Sequence, residues 1–234
     1  MDHTSPTGHS HAATKVKHQA RREFDSWAGT YDQSIVKHLL FRPAYRLLME
    51  ELYRWRRDDP RPLDLLDVGS GTGTWMHLVI GSGLLVRAVI GLDYAEQMCR
   101  VAHGKADEAA GAEAVPRFVN ADSEHIPFAD GSFDVVTCSH SFHHYPNQAG
   151  TVREMHRVLR RGGRLMLIDG FRDNTIGWVL FDVFIAKGEG TPEAKVFHAP
   201  WSTMRRYFED AGFRDIQQRK EGIWIPLLLT TGVA

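Results

Sequence analysis

Leu65-Leu66-Asp67-Val68-Gly69-Ser70-Gly71-Thr72-Gly73 is the stretch that decides the fold. An apolar run, Leu63–Val68, ends in three spaced glycines, and Thr74–Ile80 then reads as a helix. Glycines between a strand and a helix let the backbone turn tightly and approach a ligand closely. The N–H groups of the helix start then face an anionic or carboxylate end. The dinucleotide fingerprint is G-x-G-x-x-G. Counted from Gly69 it requires glycine where Thr74 stands, and from Gly71 where Met76 stands. The dinucleotide reading fails in both registers.

Outward from the loop, strand and helix patterns alternate. Val86–Leu92 is a β-branched run ending in Asp93, and Tyr94–Ala110 is alanine-rich and helical. Arg117–Asn120 and Phe133–Cys138 read as strands, and Gln148–Leu159 as an amphipathic helix stopped by Gly162-Gly163. Arg164–Ile168 is the next strand, and Trp201–Ala211 is a helix closed by Gly212. Phe213–Gln218 and Ile223–Leu229 read as a closing antiparallel pair. Such alternation predicts an α/β fold: a doubly wound, mostly parallel seven-stranded sheet with helices on both faces and an antiparallel last strand. Ligands of these sheets sit at the carboxyl ends of the strands.

Residues 1–22 are polar, carry four histidines, and read as a flexible tail ahead of one domain over 23–234. Residues 23–57 show helical periodicity through Phe24, Trp27, Tyr31, Ile35 and Leu39, and Pro43 predicts the first turn of a second helix. Asp58-Asp59-Pro60-Arg61-Pro62 breaks the pattern. Residues 171–200 interrupt the alternation at the ligand end of the sheet, where an insertion serves either as a lid or as a plain packing helix.

The 234 residues carry 28 basic and 29 acidic side chains, a formal net charge of -1. That balance gives no electrostatic footprint for nucleic acid or an anionic membrane. Two cysteines, Cys99 and Cys138, make no disulfide framework, so a reducing cytoplasm is the expected compartment. No apolar run follows a basic start, and Ile223–Leu229 falls far short of the roughly 20 residues that a membrane span needs. A monomer or homodimer is expected.

Asp93 stands twenty residues beyond Gly73, where a carboxylate can accept hydrogen bonds from ribose hydroxyls. Asn120-Ala121-Asp122-Ser123 ends the third strand, and Asp122 could accept from an exocyclic adenine amine. The alternative for both aspartates is capping. Together the three features point to an adenosyl group carrying an amino acid.

With these residues the chain resembles a class I S-adenosylmethionine-dependent methyltransferase. It is most similar to the small-molecule group that includes the ubiquinone/menaquinone biosynthesis methyltransferases. The resemblance is carried by Leu65–Gly73, Gly91–Tyr94, Asn120–Asp122, Ile126–Val136 and Glu154–Gly163. Phe24–Asp32 resembles the helix that caps the cofactor in that group. The resemblance implies transfer of a methyl group from S-adenosylmethionine to a small, partly apolar acceptor, leaving S-adenosylhomocysteine. It implies that Gly69, Gly71 and Gly73 border the amino acid portion, with Asp67 near its ammonium group. Asp93 would bind the ribose, Tyr94 and Met98 would flank the adenine, and Asp122 and Ser123 would read its edge. Ser139 would face the methionine portion, and Tyr31 is a further pocket candidate.

Ser139-His140-Ser141-Phe142-His143-His144-Tyr145-Pro146 lies where the methyl should point. His140, His143 or His144 could take a proton from the acceptor, because histidine titrates near neutrality. The bland reading is that they orient loops. A metal held by them with Asp169 is a further option, and the reading assigns no metal site. Trp27 and His198 are additional pocket candidates. Nucleic-acid methyltransferases acting on exocyclic amines place an Asn/Asp-Pro-Pro-aromatic tetrapeptide here, and His143–Pro146 does not match it. Arg157, Arg160, Arg161 and Arg164 could touch phosphates, but helix ends commonly carry such charges. The competing functions are a cofactor-binding regulatory module without turnover, a nucleotide-dependent oxidoreductase, and a nucleic-acid methyltransferase.

Overall fold

The computed structural model describes residues 7–29, 35–108, 115–170, 197, 199–221 and 227–234. Its seven strands are β1 (Leu63–Val68), β2 (Val86–Asp93), β3 (Arg117–Asn120), β4 (Phe133–Ser139), β5 (Leu159–Gly170), β6 (Arg214–Glu221) and β7 (Leu227–Val233). They lie in the order β3-β2-β1-β4-β5-β7-β6. β1 to β5 run parallel, and β7 runs antiparallel between β5 and β6, as the pattern predicts. The winding reverses between β1 and β4, and the crevice at such a switch point is the ligand position of open α/β sheets.

Every residue of β1 is buried, and its side chains go to opposite faces in turn. Leu63 and Leu65 enter a cluster with Leu47, Leu52 and Trp75, while Leu66 and Val68 enter a second with Val152, Met155 and Phe208. That is why β1 carries apolar side chains on both faces rather than at alternate positions only. Truncating Leu66 to alanine costs about 2–5 kcal/mol. The helices are α1 (Thr7–Trp27), α2 (Ile35–Arg56), α3 (Thr74–Ile80), α4 (Glu96–Glu108), α5 (Gln148–Val158) and α6 (Trp201–Ala211). Asn147 caps α5 by accepting from the Gly150 N–H at 3.0 Å.

Three expectations need correction. Thr7–Trp27 form a helix, not a flexible tail. Its anchors are charges paired across the fold, which local pattern does not reveal. Pro43 lies inside α2 rather than at the start of a second helix. The helix tolerates the missing N–H because Ala44, Leu47, Leu48 and Leu52 are fully buried on one side of it. Gly162-Gly163 do not separate a helix from a strand but lie within β5, which begins at Leu159. Gly162, at φ 81°, donates to the Ala234 carbonyl, and Ala234 donates back to Gly163, so the glycines pair the end of the chain. The lid reading of 171–200 falls almost wholly outside the described residues.

Candidate active site

The carboxyl ends of β1, β2, β3 and β4 meet α1 and α2 around a cavity of about 500 Å³. Gly69, Gly71, Asp93, Tyr94, Met98, Asp122, Ser123, Ser139, His140 and His144 all line it. Asp67, Gly73 and His143 do not. Tyr31 and His198 lie outside the described residues, as does the side chain of Trp27.

Gly69 sits at φ 74°, and a Cβ there would overlap the Ser141 side chain and the Tyr145 hydroxyl. Its N–H and that of Ser70 both donate to the Leu92 carbonyl, at 2.7 and 3.1 Å. The loop is thereby bound to the end of β2. Gly73 serves packing instead: a Cβ would stand 2.6 Å from the Phe118 ring, between α3 and β3.

Two carboxyl groups lie under this loop. Asp93 accepts from the Gly71 N–H and from the Ala95 N–H, each at 2.8 Å. Burial nevertheless pushes its pKa up to about 6. Asp67, only 3% exposed, accepts from Thr137 Oγ1 at 2.7 Å, and Thr137 in turn accepts from Trp75 Nε1 at 3.1 Å. Burial pushes its pKa up to about 7. It is a carboxyl group beneath the cavity floor that gains strongly from a nearby positive charge.

Asp122, two residues past β3, has both oxygens engaged. Oδ1 accepts from the Glu124 N–H at 3.0 Å, and Oδ2 meets Lys17 Nζ at 2.6 Å. Lys17, Ala20, Arg21 and Phe24 of α1 line the cavity, as do Phe41, Arg42 and Tyr45 of α2. Their 17/20/21/24 spacing is one helix face, a signal that the polar composition of residues 1–22 concealed.

Past β4 the chain carries the histidine segment. His140 has φ 53°, a left-handed conformation, and its ring lies against Phe41 with centroids 4.6 Å apart. Burial lowers its pKa to about 4, so the imidazole is neutral at neutral pH. Its Nε2 is buried without a hydrogen-bond partner, as are Ser139 Oγ and Ser70 Oγ. Ser70, Ser139 and His140 all border the cavity, and a buried polar atom without a partner is what a polar ligand could complete. His143 is directed elsewhere: Nδ1 lies 2.7 Å from Asp169 Oδ1, and its N–H donates to Asp169 Oδ2 at 2.9 Å. Asp169, 4% exposed, also accepts from the Gly170 N–H. His144 is back on the cavity wall, 4.1 Å from the His143 ring and edge-on to Phe24 at 4.9 Å.

Among the described residues, no group of three or more His, Cys, Asp or Glu is placed to hold a metal. Of the four arginines that could touch phosphates, three are committed within the fold. Arg157 pairs with Glu154 and Asp130, Arg160 with Asp64 and Asp134, and Arg164 with Glu51. Among the described residues, no helix is long and apolar enough to cross a membrane.

Residues 66–167 match the family described as a methyltransferase domain. The chain is 38% identical over 107 residues to the uncharacterized methyltransferase YcgJ of Bacillus subtilis, covering 46% of this chain and 40% of that protein. It is 36% identical over 138 residues to a demethylmenaquinone methyltransferase of Thermus thermophilus, covering 54% and 61%. The chain thus spans about 40% to 61% of the length of these curated relatives. The solved magnesium protoporphyrin IX methyltransferase of Synechocystis shares its fold, with a TM-score of 0.67 at 20% identity over 93% of this chain and 96% of that one.

Proposed function

From the match of residues 66–167 to the methyltransferase domain family, we propose that the chain transfers a methyl group from S-adenosylmethionine to a small, partly apolar acceptor. S-Adenosylhomocysteine is the product released. One observation carries the reading: the glycine loop, Asp93, Asp122 and the histidine segment border a single cavity.

The residues fit an adenosyl amino acid. Asp93 takes the ribose hydroxyls, and Asp122 and Ser123 read the adenine edge between Tyr94 and Met98. Gly71 leaves open space for the amino acid portion, and Gly69 and Ser139 border the same cavity. Asp67 balances the ammonium group from below the floor, and Gly73 acts through packing.

The bound cofactor supplies a methyl group already activated by its sulfonium. The chain's task is alignment, exclusion of water and custody of one proton. Phe24, Phe41, Tyr45 and Leu78 give the cavity an apolar side that suits an aromatic or alicyclic acceptor. The Thermus relative, named for demethylmenaquinone, supports an acceptor of that kind. His140, neutral and with a free Nε2, accepts a hydrogen bond from an acceptor hydroxyl or amine and orients it. Its low pKa makes it a weak base. His144 on the wall, backed by the His143–Asp169 pair, is the group that takes the proton. We place the enzyme in the cytoplasm, where Cys99 and Cys138, both buried and free, stay reduced.

Thermal shift tests the cofactor assignment. Stabilisation by S-adenosylhomocysteine and not by NAD is the expected result. Stabilisation by NAD alone would overturn it.

A further inference from the structure

The ion pair between α1 and the end of β3 has a chemical consequence for base recognition. Lys17 Nζ lies 2.6 Å from Asp122 Oδ2 and 2.6 Å from Glu124 Oε1. The three side chains are 16%, 27% and 13% exposed, so this is a shielded cluster and not a solvated surface pair. Glu124 is held further by Asn147 Nδ2 at 2.9 Å, and Asp122 by the Glu124 N–H. The same helix face carries Ala20, Arg21 and Phe24 over the cavity. Arg21 pairs with Glu96 at 3.2 Å, and Asp25 accepts from the Gln97 N–H at 2.8 Å, so α1 is tied to α4 as well.

Resting on the methyl-transfer reading above, we propose that Lys17 is a positioning residue for the cofactor's base. It holds the Asp122 carboxylate in place as an acceptor, so that reading a 6-aminopurine and docking α1 become one event. Lys17 Nζ bridges the two carboxylates, and without that cation between them like charges push Asp122 away from the place where it meets the base. An ionised Asp122 accepts from a 6-amino group and repels a 6-oxo group. Burial opposes the charge on Lys17, yet its bonds to Asp122 and Glu124 outweigh that and hold its pKa above the ordinary lysine range. Lys17 therefore acts on discrimination between purines, which a mere strut would not.

The test compares S-adenosylhomocysteine with S-inosylhomocysteine, by calorimetry, on the full-length wild type, Lys17→Met and Lys17→Arg. Wild type is expected to prefer the adenosyl ligand strongly. Lys17→Met should lose about tenfold in adenosyl affinity, the scale of one charge-assisted hydrogen bond, and change little for the inosyl ligand. Lys17→Arg should keep most of the preference. A second readout is hydrogen exchange in wild type, where the adenosyl ligand should protect α1 more than the inosyl ligand does. An unchanged adenosyl-to-inosyl ratio in Lys17→Met overturns the proposal, even if both affinities fall. Equal protection of α1 by both ligands does so where that variant does not fold. Wild type that binds neither ligand overturns the methyl-transfer reading itself.

Discussion

Thr137 Oγ1 donates to Asp67 Oδ1 at 2.7 Å beneath the glycine loop, and the carboxyl it serves is pushed up to about pKa 7 by burial. A folded-state pKa raised above the unfolded value gives stability that is complete below pH 4 and is lost as pH rises through 7. The ligand-free protein should lose about 4 kcal/mol from this group between pH 4 and pH 8. Asp67→Asn keeps an acceptor for Thr137 and removes the titration. It should be more stable than wild type at pH 8, with the difference shrinking toward pH 4, as urea unfolding would read. Equal destabilisation at both pH values would contradict this account of Asp67.

Ligand binding should release protons. An ammonium group near Asp67 and hydroxyls donated to Asp93 both favour the ionised carboxylates, whose pKa values stand at about 7 and about 6. At pH 6, S-adenosylhomocysteine should expel about one proton per site, falling toward zero at pH 8. Calorimetry in two buffers of different ionisation enthalpy measures it, and pH-independent binding without proton release would remove both carboxylates from the account.

Gly69 and Gly71 both have positive φ but stand in different surroundings. A Cβ at Gly71 meets nothing within 4 Å, whereas one at Gly69 overlaps Ser141 and Tyr145. Gly71→Ala should cost about 1–2 kcal/mol of stability through backbone strain alone. Gly69→Ala should cost more and should abolish cofactor binding, because Ser141 and Tyr145 cannot stay where they are. Similar melting temperatures and affinities for the two variants would refute the distinction.

The His143–Asp169 pair lies off the cavity, beside His144 on its wall, and the proposed role for it is support of that neighbour. Asp169→Asn should lower kcat by about 10²-fold or more while changing cofactor Kd less than threefold. His140→Gln should reduce turnover without moving the acid limb of the pH profile near neutrality, since His140 titrates near 4. Parallel losses of kcat and cofactor affinity in Asp169→Asn would make the pair a scaffold only.

Much of the fold was legible because its local signals agree. Leu63–Val68, Thr74–Ile80 and Trp201–Ala211 have the limits that apolar runs and glycine stops predict. The floor of the site was legible too, since Gly69, Gly71, Asp93 and Asp122 are set by strand ends. The roof was not. Lys17 and Arg21 act through partners 105 and 75 residues away, and nothing in a polar helix announces such pairs. Three histidines in five residues looked equivalent, but the left-handed turn at His140 and the Asp169 carboxylate send them to different places. Pro43 misled because buried neighbours outweigh one lost backbone bond.

Methyl transfer itself is the most direct measure. Pure protein incubated with methyl-labelled S-adenosylmethionine and an array of hydroxylated or amino aromatic and alicyclic acceptors should label at least one acceptor and form S-adenosylhomocysteine in equal amount. The Asp93→Ala variant should lose both signals together. Tight S-adenosylmethionine binding with no label reaching any acceptor would contradict the account.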